Sequence, residues 1–382
     1  MGTTPSLADH DTTGTSSDGG GPNGGRLGAL RTVAAVAAIA AIIVVLAVSA
    51  SYLRDENANR LLQVLLAIAL GVVGVWAFYW AMDRGVSALP EALSERVRPI
   101  VFVGPAAVIL GVYLVYPAIN TIIISFMDRQ SENFVGVDNY IDVFTKSDTL
   151  TSIRNSILWV IIVPVITVAI GLAFATLVDK LSKRSEASAK SLIFLPMAIS
   201  FVGASVVWGF VYSFRPAGFG NQIGILNAIW TALGNDPINW LSVQPWNNAF
   251  LMVIVIWAQV GFAMVILSSA IKAVPSEIVE AARIDGASEI QLFWKVVFPS
   301  VLSTVVVVWT TLVITVWKLF DIVYVMTGGR DGTSVIAERM VTEFFKNFNF
   351  GAGAALAVIL FVAVTPVMVI NVRRFQAEEA IR

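Results

Sequence analysis

The chain has 382 residues, 57% of them hydrophobic and 13% charged, with a formal net charge of −1 and a mean hydropathy of +0.79. That balance excludes an ordinary soluble domain, in which roughly a quarter of residues are charged, and leaves no basic footprint for nucleic acid. Cysteine is absent and the single histidine is His10, so disulfides, thiolate metal sites, cysteine nucleophiles and histidine clusters are excluded.

The stretch 2–25 is Thr, Ser, Gly, Asp and Pro with almost nothing to bury, so a disordered tail is expected through residue 30. His10 lies there and reads as a solvated residue. Gly19, Gly21 and Gly24 fit G-x-G-x-x-G only formally, because no strand precedes them. The tail is long and weakly charged, and the next apolar run is long enough to span, so a cleaved signal peptide is not expected.

A spanning helix needs about 20 mostly apolar residues. About eight runs qualify, near 32–52, 61–82, 100–126, 153–178, 191–214, 249–272, 298–320 and 352–372. Pro105, Pro117 and Pro164 fall inside the third and fourth, where neighbouring helices re-satisfy freed backbone groups. Gly71 with Gly74, and the run 351–355, are small-residue patches suited to close packing. Asp128 and Arg129 are expected to cap the third span, and Asn155 and Ser156 to open the fourth.

Orientation follows the loop cations. They sit before the first span (Arg26, Arg31), after the second (Arg84, Arg96, Arg98), after the fourth (Lys180, Lys183, Arg184, Lys190) and at the C-terminal end (Arg373, Arg374, Arg382). The segment 128–148 is instead acidic, with Asp128, Glu132, Asp138, Asp142 and Asp148 against Arg129 and Lys146. The prediction is an all-α polytopic membrane protein with about eight transmembrane helices and both termini cytoplasmic. By parity the loop 273–297 is cytoplasmic too.

That loop is patterned as a helix-turn-helix. Pro275 and Ser276 start a first helix, since proline suits the first turn. Gly286 stops it, and Ser288 with Gln291 fits a capping box for a second. Pro299 marks re-entry into the membrane. The pattern predicts a small-residue knob at Ala281 and Ala282 that another protein approaches closely. An amphipathic hairpin lying on lipid is the alternative.

The loop reads Glu280-Ala281-Ala282, three residues, Gly286, nine residues, then Val296-Val297-Phe298-Pro299. This resembles the E-A-A…G…I-x-L-P motif in permeases of binding-protein-dependent ABC importers. Val296 and Phe298 replace the motif's isoleucine and leucine. The resemblance implies that the knob docks on a separate ATPase and passes its closing motion to the spans, with Glu280, Ala281, Ala282, Gly286 and Pro299 as coupling residues. The chain has no G-x-x-x-x-G-K-[ST] loop, so ATP and Mg are expected on the partner ATPase and no cofactor on this chain.

Further segments resemble the carbohydrate branch, of maltose and α-glucoside type: Phe134-Val135-Gly136-Val137-Asp138-Asn139-Tyr140, Leu195-Pro196, Trp240-Leu241 and Met326-Thr327-Gly328-Gly329. Arg330 stands where many members have proline. The long extracytoplasmic insert of the best-known maltose permease is missing. The resemblance covers roughly 100–375 and implies a six-helix permease core at 100–375, two accessory helices at 31–99 and a cytoplasmic end at 376–382.

A sugar presents hydroxyls and apolar ring faces, so its path should combine aromatics with small polar groups. Trp208 and Tyr212 with Ser205, Gln259 with Trp257, and Thr315, Trp317 and Lys318 with Thr310 and Thr311 are the candidates. Each competes with an ordinary role, in the interfacial aromatic belt, in helix-to-helix bonding or in snorkelling. The segment 215–248, with 133–144, is expected to receive the binding protein.

The expected function is a multi-pass permease subunit in a prokaryotic-type plasma membrane, importing a sugar and performing no covalent chemistry. The implied partners are a second permease, two copies of an ABC ATPase, an extracytoplasmic sugar-binding protein and the lipid bilayer, with no nucleic acid. Permeases for polyamines, amino acids or glycerol phosphate remain open. So does a secondary transporter, although such proteins usually carry mid-membrane acids.

Overall fold

The computed structural model describes residues 37–381 apart from 39, 43, 46, 50, 56, 57 and 88, with backbone alone at 374, 375 and 377–381. The expected tail with His10, the cations Arg26 and Arg31, the start of the first span and Arg382 lie outside the described residues.

The chain is all-helical. Among the described residues there is no strand, only a single bridge between Met127 and Phe134. Among the described residues six helices are long and apolar enough to cross a membrane: Arg60–Ser87, Glu91–Ile124, Ser147–Val178, Trp246–Lys272, Glu289–Trp317 and Phe350–Arg373. Backbone hydrogen bonds inside each helix satisfy the groups that hydrocarbon cannot. A shorter apolar helix covers Ala40–Leu53. Contacts divide the chain into Met1–Pro117 and Ala118–Arg382.

In the first unit, Asn59 caps Arg60–Ser87 by accepting from the Leu61 N–H at 3.0 Å. The helix passes through a π turn at Leu70–Gly74. Tyr79 stacks on Phe102, with centroids 6.1 Å apart, and Arg98 pairs with Asp83 at 3.7 Å. Gly71, expected at a tight contact, has open space where a Cβ would stand.

The second unit is organised by the crossing of Ser147–Val178 and Trp246–Lys272. Trp159, Val163, Leu172 and Ala175 are buried against Leu251, Ile254, Met264 and Leu267. Between apolar helices in lipid the gain comes from van der Waals fit, which small residues permit. A Cβ on Gly171 would come within 2.6 Å of the Ala263 Cβ. At the other side of the unit, Gly353 lies against the Phe344 ring, where a Cβ would approach to 2.8 Å. That bears out the small-residue run at 351–355.

Three expectations need correction. The run 191–214 is not one straight helix. Lys183–Ala198 and Phe201–Val211 meet at 101°. Pro196 sits in a 3-10 turn over Leu195–Ala198, Ile199 is extended, and Ser200 caps a new helix by accepting from the Gly203 N–H at 3.1 Å. Proline and a serine cap four residues apart end one helix and start the next. The bend is seated on Gly261, where a Cβ would lie 2.6 Å from the Phe194 Cα.

Asn155 and Ser156 do not open the fourth span either. The helix begins at Ser147, so both are buried inside it. Hydropathy alone misplaced the start, because the first turns are polar, with Thr149, Ser152, Asn155 and Ser156 buried against protein. Asp128 likewise follows the helix end at Ile124, accepting from the Glu132 N–H at 2.9 Å and from the Asn133 side chain at 2.7 Å. The Asn133 bond holds its carboxyl below the usual carboxylate range.

Candidate coupling site and translocation path

The knob folds as its residues dictate. Its first helix is Ser276–Ile284, preceded by Pro275. Gly286 takes φ +80°, and the Ala287 N–H reaches back to the Ala282 carbonyl at 3.0 Å. This closing bond needs a left-handed residue, which glycine supplies without a Cβ penalty. Nothing lies within 4 Å of a Cβ built on Gly286, so its backbone angle, not space, demands glycine. The Ser288–Gln291 capping box is formed in both directions, at 2.9 and 3.4 Å.

Pro299 does not mark a break. Glu289–Leu292, a π turn at Phe293–Val297 and Phe298–Trp317 form one continuous helix. A proline removes one intrahelical donor and crowds the carbonyl four residues earlier. The π turn just upstream widens the ladder there, with the Phe298 N–H bonded to the Phe293 carbonyl. The knob's second helix is therefore the first turn of a spanning helix.

The knob's surface is unfinished. Ile278, Ile284, Ile290 and Trp294 are 50%, 86%, 74% and 57% exposed. Glu280, Ala281 and Gly286 are exposed and Ala282 is half-buried. Large apolar side chains left exposed on a polar turn are a feature that protein and membrane contacts share. Glu289 holds the knob in place, pairing with Arg283 at 3.2 Å and Lys180 at 3.5 Å. Beside it Lys272 pairs with Asp179 at 3.6 Å and with Glu186 at 2.5 Å. The loops after Val178 and Lys272 and the start of Glu289–Trp317 thus meet at one end of the unit.

The path candidates separate into two places. Trp208 packs on Tyr212 (centroids 5.2 Å apart) and edge-on to Trp257 (5.8 Å). Tyr212 is buried and donates to the Phe250 carbonyl at 2.9 Å. Trp208 and Trp257 line an apolar crevice of about 540 Å³ in the angle of the bend, with Ile170, Leu192, Pro196 and Ile256. Gln259 is half-buried, and its side chain makes no hydrogen bond to another described residue. Trp317 instead packs on Val143, Ile336 and Leu356. Thr315 bonds its own helix through the Thr311 carbonyl at 2.9 Å, and Lys318 is exposed at the helix end. Ser205 and Thr311 also bond carbonyls one turn back. Thr310 reaches across to Asn371 at 2.8 Å.

At the opposite end lies a cluster that hydropathy did not single out. Asn155 donates to the carbonyls of Gly332 (2.7 Å) and Ser334 (2.9 Å). Asn247 donates to that of Asp331 (2.7 Å), and Asn248 to that of Gly332 (3.2 Å). Asn248 also accepts from the Trp159 indole at 3.0 Å, and Ser156 accepts from the Ile336 N–H at 2.9 Å. Three carboxamides from two helices thereby clamp the loop 331–334. The signal available in the sequence was asparagine near the start of an apolar run, where a polar group persists only if paired.

Comparison with known proteins places these features in context. The family model described as "Binding-protein-dependent transport system inner membrane component" matches residues 168–375. The chain is 53% identical over 281 residues to the osmoprotective compounds uptake permease protein GgtC of Synechocystis sp., covering 74% of this chain and 100% of that one. It is 41% identical over 334 residues to the alpha-glucoside transport system permease protein AglF of Rhizobium meliloti, covering 84% and 98%. In fold it is similar to a chain of a bacterial ABC transporter involved in the import of the acidic polysaccharide alginate. That match has a TM-score of 0.64 at 17% identity, over 74% of this chain and 99% of that one.

Proposed function

This chain belongs to the binding-protein-dependent transport system inner membrane components, the permease subunits of ABC importers, and from that membership we propose that its cargo is a sugar of α-glucoside type. The observation that carries the cargo reading is the 41% identity to an α-glucoside permease across 98% of that protein's length. An apolar crevice walled by Trp208 and Trp257 is compatible with sugar ring faces stacking on aromatics. The 53% identity to a permease for osmoprotective compounds favours a second reading, in which the cargo is a neutral osmoprotectant.

The coupling mechanism proceeds from the knob. A separate ATPase chain binds ATP with Mg, closes, and presses on Glu280, Ala281, Ala282 and Gly286. Glu289 begins both the second knob helix and the span ending at Trp317, so displacement of the knob is displacement of that span, and Pro299 with its π turn is the place where it flexes. A second permease faces this one across the path. An extracytoplasmic binding protein delivers the solute at the end held by the asparagine clamp. Trp208 lines the path on this subunit, backed by the buried Tyr212, with Gln259 on the neighbouring span, while Thr315 and Trp317 lie on the span that the knob moves and Lys318 caps its end.

The test is uptake of labelled α-glucosides and of a neutral osmoprotectant by cells carrying all subunits. ATP-dependent α-glucoside uptake supports the first reading. Osmoprotectant uptake without α-glucoside uptake replaces it with the second. Glu280→Lys and Gly286→Pro should abolish either uptake while the chain still reaches the membrane.

A further inference from the structure

The loop between Met326 and Ile336 is held more tightly than a connector requires. Gly328, Gly329, Asp331 and Gly332 all take left-handed backbone angles, with φ of +61°, +74°, +53° and +72°. Three of these are glycines, for which that region is open. Asp331 is not, and a non-glycine residue there is a local strain that the surroundings must impose.

The surroundings do impose it. From below, the carbonyls of Asp331, Gly332 and Ser334 are taken by Asn247, Asn155 and Asn248. Thr327 and Thr333 join their hydroxyls at 2.7 Å. The buried Glu338 carboxylate accepts from Ser334 and Thr342, both at 2.7 Å, and lies so close under Gly329 that a Cβ there would collide with it. Asp331 is tied sideways to the Ser242 hydroxyl at 3.2 Å.

Above this base stands Arg330. It is exposed, and its Nε donates to the Thr327 carbonyl at 3.0 Å. Its two terminal nitrogens make no hydrogen bond or ion pair with other described residues. A guanidinium held by its own inner nitrogen, on a loop whose carbonyls are bonded by three asparagines, is pre-organised to meet a planar carboxylate through its free terminal nitrogens. Pre-organisation lowers the ordering cost of an encounter.

We propose that Arg330, aimed by the asparagine clamp, is a docking anchor for a carboxylate-bearing face of the extracytoplasmic binding protein. The inference rests on the importer reading above, and it names the residue through which that partner is gripped. Asn155, Asn247 and Asn248 act as positioning residues, because they touch the loop and not the partner.

The test uses the complete transporter in vesicles of neutral lipid. The probe is the binding protein that stimulates the wild-type ATPase, titrated at saturating solute. Arg330→Glu should raise the concentration for half-maximal stimulation by about tenfold or more, as for a charged anchor at an interface, with the maximal rate recovered at saturation. Arg330→Lys should fall between, since it keeps the charge and loses the fork. Asp331→Gly keeps the left-handed angle and should shift the curve less than twofold. Asn247→Ala should shift it in the direction of Arg330→Glu. An unchanged curve for Arg330→Glu overturns the proposal. A fall in maximal rate at unchanged half-maximal concentration overturns it too, placing Arg330 in transmission rather than docking. An effect that appears only when anionic lipid is added assigns Arg330 to headgroups instead. If the wild type responds to no binding protein at all, the importer reading itself has failed.

Discussion

The two ends of the second unit are built on opposite principles. At the clamp end, buried polar groups close on one another: three asparagines, a serine and an indole account for the loop carbonyls and the neighbouring donors. At the knob end, apolar side chains are left open, with Ile284 86% exposed, on a turn held by a glycine, a capping box and exposed ion pairs. A surface complete in itself fixes a shape. A surface that is well capped and apolar is free to take a partner, as the proposed coupling requires. The same unit thus carries a closed end and an open end, joined by helices that run from one to the other.

The sharpest way to break the comparison is at Gly286. Replacing it by valine puts a β-branched side chain at φ +80°, where the left-handed region is unfavourable by about 1–2 kcal/mol or more. No neighbour is displaced, so folding of the spans should persist while uptake falls at least about tenfold, the ratio for about 1.4 kcal/mol. Membrane quantity and uptake measured in the same cells separate the two effects.

At the clamp, the expected outcome is reversed. Asn155→Ala removes the side-chain donor to the buried Ser334 carbonyl and leaves that of Gly332 to Asn248 alone, at a cost of about 1–3 kcal/mol for an unsatisfied group. Thermal unfolding in detergent should show a lowered midpoint. The ATPase contact, measured by co-purification, should be unaffected.

Ser288→Ala removes the knob's cap and should cost about 1 kcal/mol locally. The readout is a several-fold loss of coupled uptake with no change in the unfolding midpoint.

The smallest effect concerns acid. The Asn133 side chain and the Glu132 N–H lower the Asp128 carboxyl. The stability that this supplies is fully present above the ordinary carboxylate range and is lost as pH falls through the lowered value. Asp128→Asn should flatten that slight acid sensitivity in a pH-dependent unfolding series. Because the group lies in a partly exposed turn, the change should leave stability at neutral pH nearly unchanged.

Much of this was legible in the sequence, for physical reasons. Hydropathy located the long helices because lipid admits little else. The knob was legible residue by residue, since Gly286, Ser288 and Gln291 act through local backbone chemistry that needs no distant partner. What escaped was set by contacts far apart in the chain. The bend after Pro196 depends on Gly261 accepting the Phe194 backbone, and a hydropathy window reads straight through it. Asn155 looked like a helix start because its partners, Gly332 and Ser334, lie well over a hundred residues away. Trp208 and Trp317 looked equivalent in composition, yet one lines the crevice and the other packs on Ile336.

The most direct measurement uses the absence of cysteine from this chain. Ala281→Cys places a single thiol on the knob's exposed face. In the assembled transporter, the account predicts a cross-link to a cysteine in the ATPase groove, loss of uptake while it holds, and recovery on reduction. An active transporter that forms no cross-link, or one whose uptake is indifferent to it, would contradict the knob's role as the coupling element.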